Sequence, residues 1–211
     1  MSKRPTVFLS NRLLSAAADA RLQEILPITE RAAADDVESF YWVILYVVYK
    51  HSLATLKASK SEEAQGLLDD EFSMIFSARD VRKLVEQRLA AFVNDASGDD
   101  SYYGIERLIA QLTNQDSRAL RTLVAVVWRH LRLCPFKERT LDNPFTDLRQ
   151  DVAEHECEND QIQEALGFAV VSSTIPDTRV TGNAGQYNVH HNRLMGSLKV
   201  TINRLEAERA L

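Results

Sequence analysis

The residues able to do chemistry in this chain are few, and their spacing fits no catalytic pattern. His155-Glu156-Cys157-Glu158-Asn159 begins like the H-E-x-x-H helix of zinc hydrolases. Such a site needs two imidazoles on one helical face to hold zinc and a glutamate to act as base. Asn159 stands where the second histidine belongs, so the stretch reads as a solvated acidic loop. His190 and His191 are adjacent, and neighbours on a helix point about 100° apart, so they read as a surface pair at a helix start. The nucleophile elbow G-x-S-x-G is absent, and with it the local signature of a Ser–His–Asp hydrolase. Thr181-Gly182-Asn183-Ala184-Gly185 contains glycines without phosphate-loop spacing and reads as a turn. Cys134 and Cys157 are the two cysteines and read as free thiols. No catalytic, cofactor-binding or metal-binding residue is assigned.

Helical periodicity governs the elements that would position any site. Asp35-Asp36-Val37-Glu38-Ser39 leads into Phe40-Tyr41-Trp42-Val43-Ile44-Leu45-Tyr46-Val47-Val48-Tyr49-Lys50. The apolar run has no polar face, which predicts a helix over residues 36–52 buried on all sides. Asp35 and Glu38 have capping-box spacing at its start, where carboxylates also face the positive end of the helix dipole. Ser59 and Glu62 repeat that spacing before a helix with Leu67, Leu68 and Phe72. Val81, Leu84, Val85, Leu89, Phe92 and Val93 share one face of a third helix, with Arg82, Lys83, Glu86, Gln87 and Arg88 largely on the other. Asn94–Asp100 reads as the loop that ends it. Further helices are predicted around Ile105–Leu112 and Leu120–Leu131, the second stopped by Pro135.

Beyond Pro135 the texture changes. Residues 136–187 are richer in Pro and Gly, carry the acidic stretch Glu154–Asp160, and include one β-type run, Phe168–Ile175. This predicts a loop-rich, partly mobile extension. From residue 188 to 211 an amphipathic helix is expected. Its stripe Leu194, Leu198, Ile202 and Leu205 would dock on the domain or pair with a second chain. Trp42 and Trp128 read as core aromatics.

Composition sets outer bounds. The chain has 211 residues and a formal net charge of -5. Phosphate-backbone binding needs a concentrated basic face. The small cluster Arg129, Arg132, Lys137 and Arg139 is offset by nearby acids, so no nucleic-acid partner is expected. Phe40–Tyr49 is too short to cross a bilayer, which takes about 20 apolar residues. No membrane association is expected either. Met1–Thr6 leads into no apolar segment long enough for a signal peptide. The expectation is a reduced compartment, cytoplasm or nucleus.

The D-D-V-E-S-F-Y-W-V motif of Asp35–Val43 resembles the F helix of protein kinases, and most of all the fungal-type protein kinase family. That family shows an F-[ML]-S-x-x-L-L segment, a variable loop, and then D-D-L-E-S-F-[FY]-W-V. Here the pieces are Phe8-Leu9-Ser10-Asn11-Arg12-Leu13-Leu14 and Asp35–Lys50, in that order. Leu84–Phe92 is similar to the family's C-terminal helices. The likeness spans about the first two-thirds of the chain.

The resemblance implies a mainly α fold, the helical C-terminal lobe of a protein-kinase-like fold. Residues 1–135 would form that lobe. It implies structural roles for Asp35, Asp36, Glu38, Ser39 and Trp42, with Asp36 at the position that bonds the catalytic-loop backbone in kinases. The family transfers phosphate from ATP, with Mg, to Ser or Thr. That chemistry needs a glycine-rich loop, a strand lysine, a catalytic aspartate and metal-binding residues. No G-x-G-x-x-G, H-R-D or D-F-G occurs here, so no ATP or Mg is expected on this chain and the lobe is read as truncated and inactive alone. Where many kinases carry the glutamate of A-P-E, this chain has Asn11-Arg12, which leaves the usual ion-pair anchor of that segment in question. The alternative expectation is a pseudokinase-like interaction module, with a protein partner on the face left by the missing N-lobe.

Overall fold

A computed structural model describes residues 8–10, 13–17, 33–78, 80–92, 104–133, 149–165 and 184–210. All regular structure among them is helical. A short turn, α1 (residues 13–17), is followed by α2 (Ala33–Ser59), α3 (Glu62–Phe76), α4 (Val81–Phe92), α5 (Glu106–Asn114), α6 (Arg118–Leu133), α7 (Arg149–Ala165) and α8 (Ala184–Ala210). The mainly α expectation therefore holds.

The core gathers around α2. Trp42, Leu45 and Tyr49 are fully buried at helical spacing. Trp42 meets Trp128 edge-on, with ring centroids 6.5 Å apart, and meets Phe76 the same way at 6.1 Å. Phe92 lies 4.8 Å from Trp128. Each such aromatic pair adds about 1 kcal/mol beyond the area it buries. Gly104 closes the approach between α4 and α6. Its φ of +80° suits glycine, and a Cβ there would sit 2.7 Å from the Ala91 carbonyl oxygen and 3.0 Å from the Trp128 ring.

α2 is central without being enclosed on every side, which corrects the all-round burial expected for it. Phe40 and Val47, two turns apart on one face, are each 57% exposed. The apolar run lacks a polar face, yet among the described residues no packing partner covers that side. The helix also begins at Ala33, earlier than the predicted 36. Ala is the best helix former and simply extends the helix backwards. Asp35 and Asp36 thus lie inside the first turn, so Asp35 does not hold the N-cap position that the predicted Asp35–Glu38 capping box requires.

The next boundary moves as well. Ser61, not Ser59, precedes α3, and it makes no side-chain cap. Ser59 closes α2, and Lys60 follows in the left-handed region at φ 58°. The Lys60 and Ser61 amides donate to the Lys57 and Leu56 carbonyls, a Schellman closure. Asp116, at φ 52°, closes α5 in the same way onto Thr113 and Leu112.

Two helix starts are capped from far away in the chain. Ile105 has no side-chain oxygen to cap α5. Glu71 of α3 does so instead, accepting from the Arg107 amide at 2.9 Å and the Leu108 amide at 3.0 Å while also accepting from Tyr49 Oη at 2.7 Å. At the start of α6, Glu208 accepts from the Ala119 amide at 2.7 Å. A carboxylate suits both places because the first-turn amides are unpaired and the dipole there is positive.

The loop-rich reading of 136–187 is corrected over Arg149–Ala165, which is helix. Glu154, Glu158 and Glu164 face water, while the polar stripe Asp151, His155, Asn159 and Gln163 faces inward. The β-type run Phe168–Ile175 and the loop Asn94–Asp100 lie outside the described residues. α8 docks on α2, α6 and α7. It does so through Leu194, Ser197, Val200 and Thr201, and the expected stripe residue Ile202 is 54% exposed.

Candidate functional site: a buried charged clamp at the start of α2

The motif residues meet in one place. Ser10 precedes α1 and its hydroxyl accepts from the Leu13 amide at 3.2 Å, a cap. The same hydroxyl donates to Asp35 Oδ1 at 2.7 Å, and both residues are buried. Ser39 donates to the Asp35 carbonyl oxygen at 2.6 Å, tightening the first turn of α2. Asp36 is half-buried beside them.

One turn on, Glu38 accepts from Trp42 Nε1 at 3.3 Å. Arg88 of α4 lies over the other aspect of that indole, its guanidinium carbon 3.8 Å from the ring centroid. Arg88 Nη1 also donates to the Leu9 carbonyl oxygen at 3.1 Å. Arg88 is fully buried, correcting its expected place on the polar face of the third helix. Its spacing explains why: it falls in register with Leu84 and Ala91, both buried. Burial pushes the guanidinium down to about 9, opposed by the charge of Glu38. At neutral pH it stays a cation, balanced by Glu38 and the π face of Trp42.

The arrangement joins three distant stretches: the Phe8–Leu14 segment, the start of α2 and the middle of α4. Its carboxylates accept from fixed donors, Asp35 from the Ser10 hydroxyl and Glu38 from the Trp42 indole. Groups of His, Cys, Asp and Glu able to hold a metal ion are absent among the described residues. Physically it is a clamp.

The other residues singled out from sequence are scattered. His155 and Asn159 sit on α7, buried against α8, and not in a solvated loop. Asn159 Nδ2 donates to the Arg193 carbonyl oxygen at 3.0 Å and to Ser197 Oγ at 2.9 Å, and its Oδ1 accepts from Gln163 Nε2 at 2.8 Å. Glu156 pairs with Arg129 at 2.8 Å and Glu158 with Arg204 at 2.8 Å. Cys157 is an exposed free thiol and His191 is exposed. Cys134, Lys137, Arg139, Asn11, Arg12 and the side chains of Arg132 and His190 lie outside the described residues. Sequence reasoning missed Glu71, Asp151 and Gln163, and it placed His155 and Asn159 in a loop where they share the α7 stripe Asp151, His155, Asn159 and Gln163. Their regular four-residue spacing was the available signal. No helix is long and apolar enough to cross a membrane among the described residues.

Comparison of the chain with protein-family models, with curated proteins and with solved structures returns no match in any of the three.

Proposed function

We propose that this chain is a non-catalytic interaction scaffold, built like the helical lobe of a protein kinase and acting by holding a protein partner. The observation that carries the reading is the clamp. The resemblance places a Phe8–Leu14 segment before an F helix, and the lack of a glutamate at Asn11-Arg12 left the anchor of that segment in question. Arg88 supplies an anchor of another kind, through the Leu9 carbonyl and the Glu38–Trp42 pair. Asp35, Glu38, Ser39 and Trp42 then work as structure, in keeping with a lobe that performs no phosphoryl transfer. The solvent-facing Phe40 and Val47 offer apolar area on the same helix for a partner.

Thermal unfolding with and without millimolar Mg-ATP tests the non-catalytic half. A ligand that binds only the native state raises Tm. We expect no shift and no transfer of labelled phosphate to a generic Ser/Thr substrate. A nucleotide-dependent rise would overturn the reading.

A further inference from the structure

The middle of α6 is buried all the way round. Leu123, Val124, Ala125, Val126, Val127 and Trp128 are consecutive and none is more than 4% exposed. A single amphipathic face cannot explain six buried residues in a row; the back of the helix needs its own cover. Arg118, Thr122, Ala125 and Arg129 recur at intervals of four, three and four and so share that back face. Arg118 pairs with Asp151 and Arg129 with Glu156, both on α7. Glu208 of α8 holds the Ala119 amide. The cover is therefore α7 with α8.

The seam within that cover is polar. Val152 is the one buried apolar residue of α7 among those described, against Asp151, His155, Asn159 and Gln163. The α7 side chains press against α8 at Gly196, where a Cβ would run into Asn159 Oδ1. Within this seam His155 is fully buried, and neither ring nitrogen meets a protein hydrogen-bond partner among the described residues. A neutral imidazole pays a modest cost for this, but an imidazolium with no acceptor would be far worse off.

We propose that the α7–α8 pair is an acid-released cover for the back of α6, closed while His155 is neutral and coming away as a unit when His155 takes a proton. The surrounding charges do not rescue the imidazolium. On its own helix, Asp151 is engaged by Arg118 and Arg121, Glu156 by Arg129, and Glu158 by Arg204. α6 thus presents three arginines and α8 presents Arg204. Burial, reinforced by Arg204 and opposed by Glu158, pushes His155 down to about 4. Asp151 and Glu158 are held below the ordinary carboxylate range by their arginines, so they stay ionised across the window that matters.

The sign follows from linkage. The open state binds the proton near the ordinary 6.5 and the closed state only near 4. Closure is therefore at full strength above pH about 6.5 and weakens roughly tenfold per pH unit between there and pH about 4. The device is independent of the kinase-like reading.

Native-state hydrogen exchange on the full chain tests it, read by mass spectrometry and divided by the intrinsic rate at each pH. Between pH 7 and pH 5, protection of α7 and α8 should fall together by roughly twentyfold, while α2 keeps its protection. Unchanged protection, or an equal loss in every helix, overturns the proposal. His155→Leu should remove the pH dependence and leave α7–α8 closed at pH 5; His155→Gln serves the same end if the leucine variant does not fold. A pH dependence that survives in the folded variant also overturns it.

Discussion

Arg88 shows how a single side chain can carry a disproportionate share of a fold. Its guanidinium serves the Leu9 carbonyl, the Trp42 ring and the charge of Glu38 at once. Arg88→Ala would strand Glu38 as a buried carboxylate facing a cavity. Losing one member of such a pair costs about 3–5 kcal/mol, measurable by urea unfolding. Arg88→Lys would recover little, because an ammonium neither stacks on an indole nor reaches two acceptors in a planar fork. Glu71 is similarly placed, accepting from Tyr49 and from two amides of α5. Glu71→Ala should cost about 3 kcal/mol, by loss of charge-assisted bonds and a helix cap, and hydrogen exchange should show the first turn of α5 fraying before the rest.

Helix ends and faces provide checks at the next scale. Lys60 occupies a left-handed position that favours glycine, so Lys60→Gly should raise stability by about 1 kcal/mol in the same unfolding assay. Phe40 and Val47 are exposed, so replacing both with Ser should change stability by no more than about 0.5 kcal/mol. A loss of several kcal/mol would mean that this face of α2 is covered after all. Most helices were legible because their buried residues recur every three or four positions. α5 and α6 match the predicted stripes closely, and α4 does so apart from the buried Arg88. α7 escaped detection because its inward face is Asp151, His155, Asn159 and Gln163, and a polar stripe leaves no hydropathy signal. The start of α2 was misplaced because Ala33 and Ala34 extend it past the acidic pair that looked like a cap. The clamp was half legible. Asp35, Glu38, Ser39 and Trp42 stood out together, but the partners Ser10 and Arg88 lie 25 residues before Asp35 and 79 residues after Leu9. Such pairings arise from tertiary packing and leave no local trace.

At the scale of the molecule, two electrostatic regimes coexist. The α2 centre is held by aromatic packing with a few buried charges, whereas the α7–α8 layer is held by ion pairs and amide bonds. The arginine-held Asp151 contributes stability that is present above the ordinary carboxylate value of 3.8 and is lost as pH falls below it. Acid unfolding followed by circular dichroism should therefore show a further loss of helix below that value, and Asp151→Asn should remove part of it. The Glu208–Ala119 bond has a consequence of its own for how the chain is made. The two residues are 89 positions apart, and a ribosome adds them in order. The start of α6 must leave the exit tunnel uncapped and wait for Glu208, so the α6 register is sealed only after nearly all of the described helices have been synthesised. A nascent chain arrested before residue 208 would present a frayed start of α6 to chaperones, and its release would complete the cover that α7 begins.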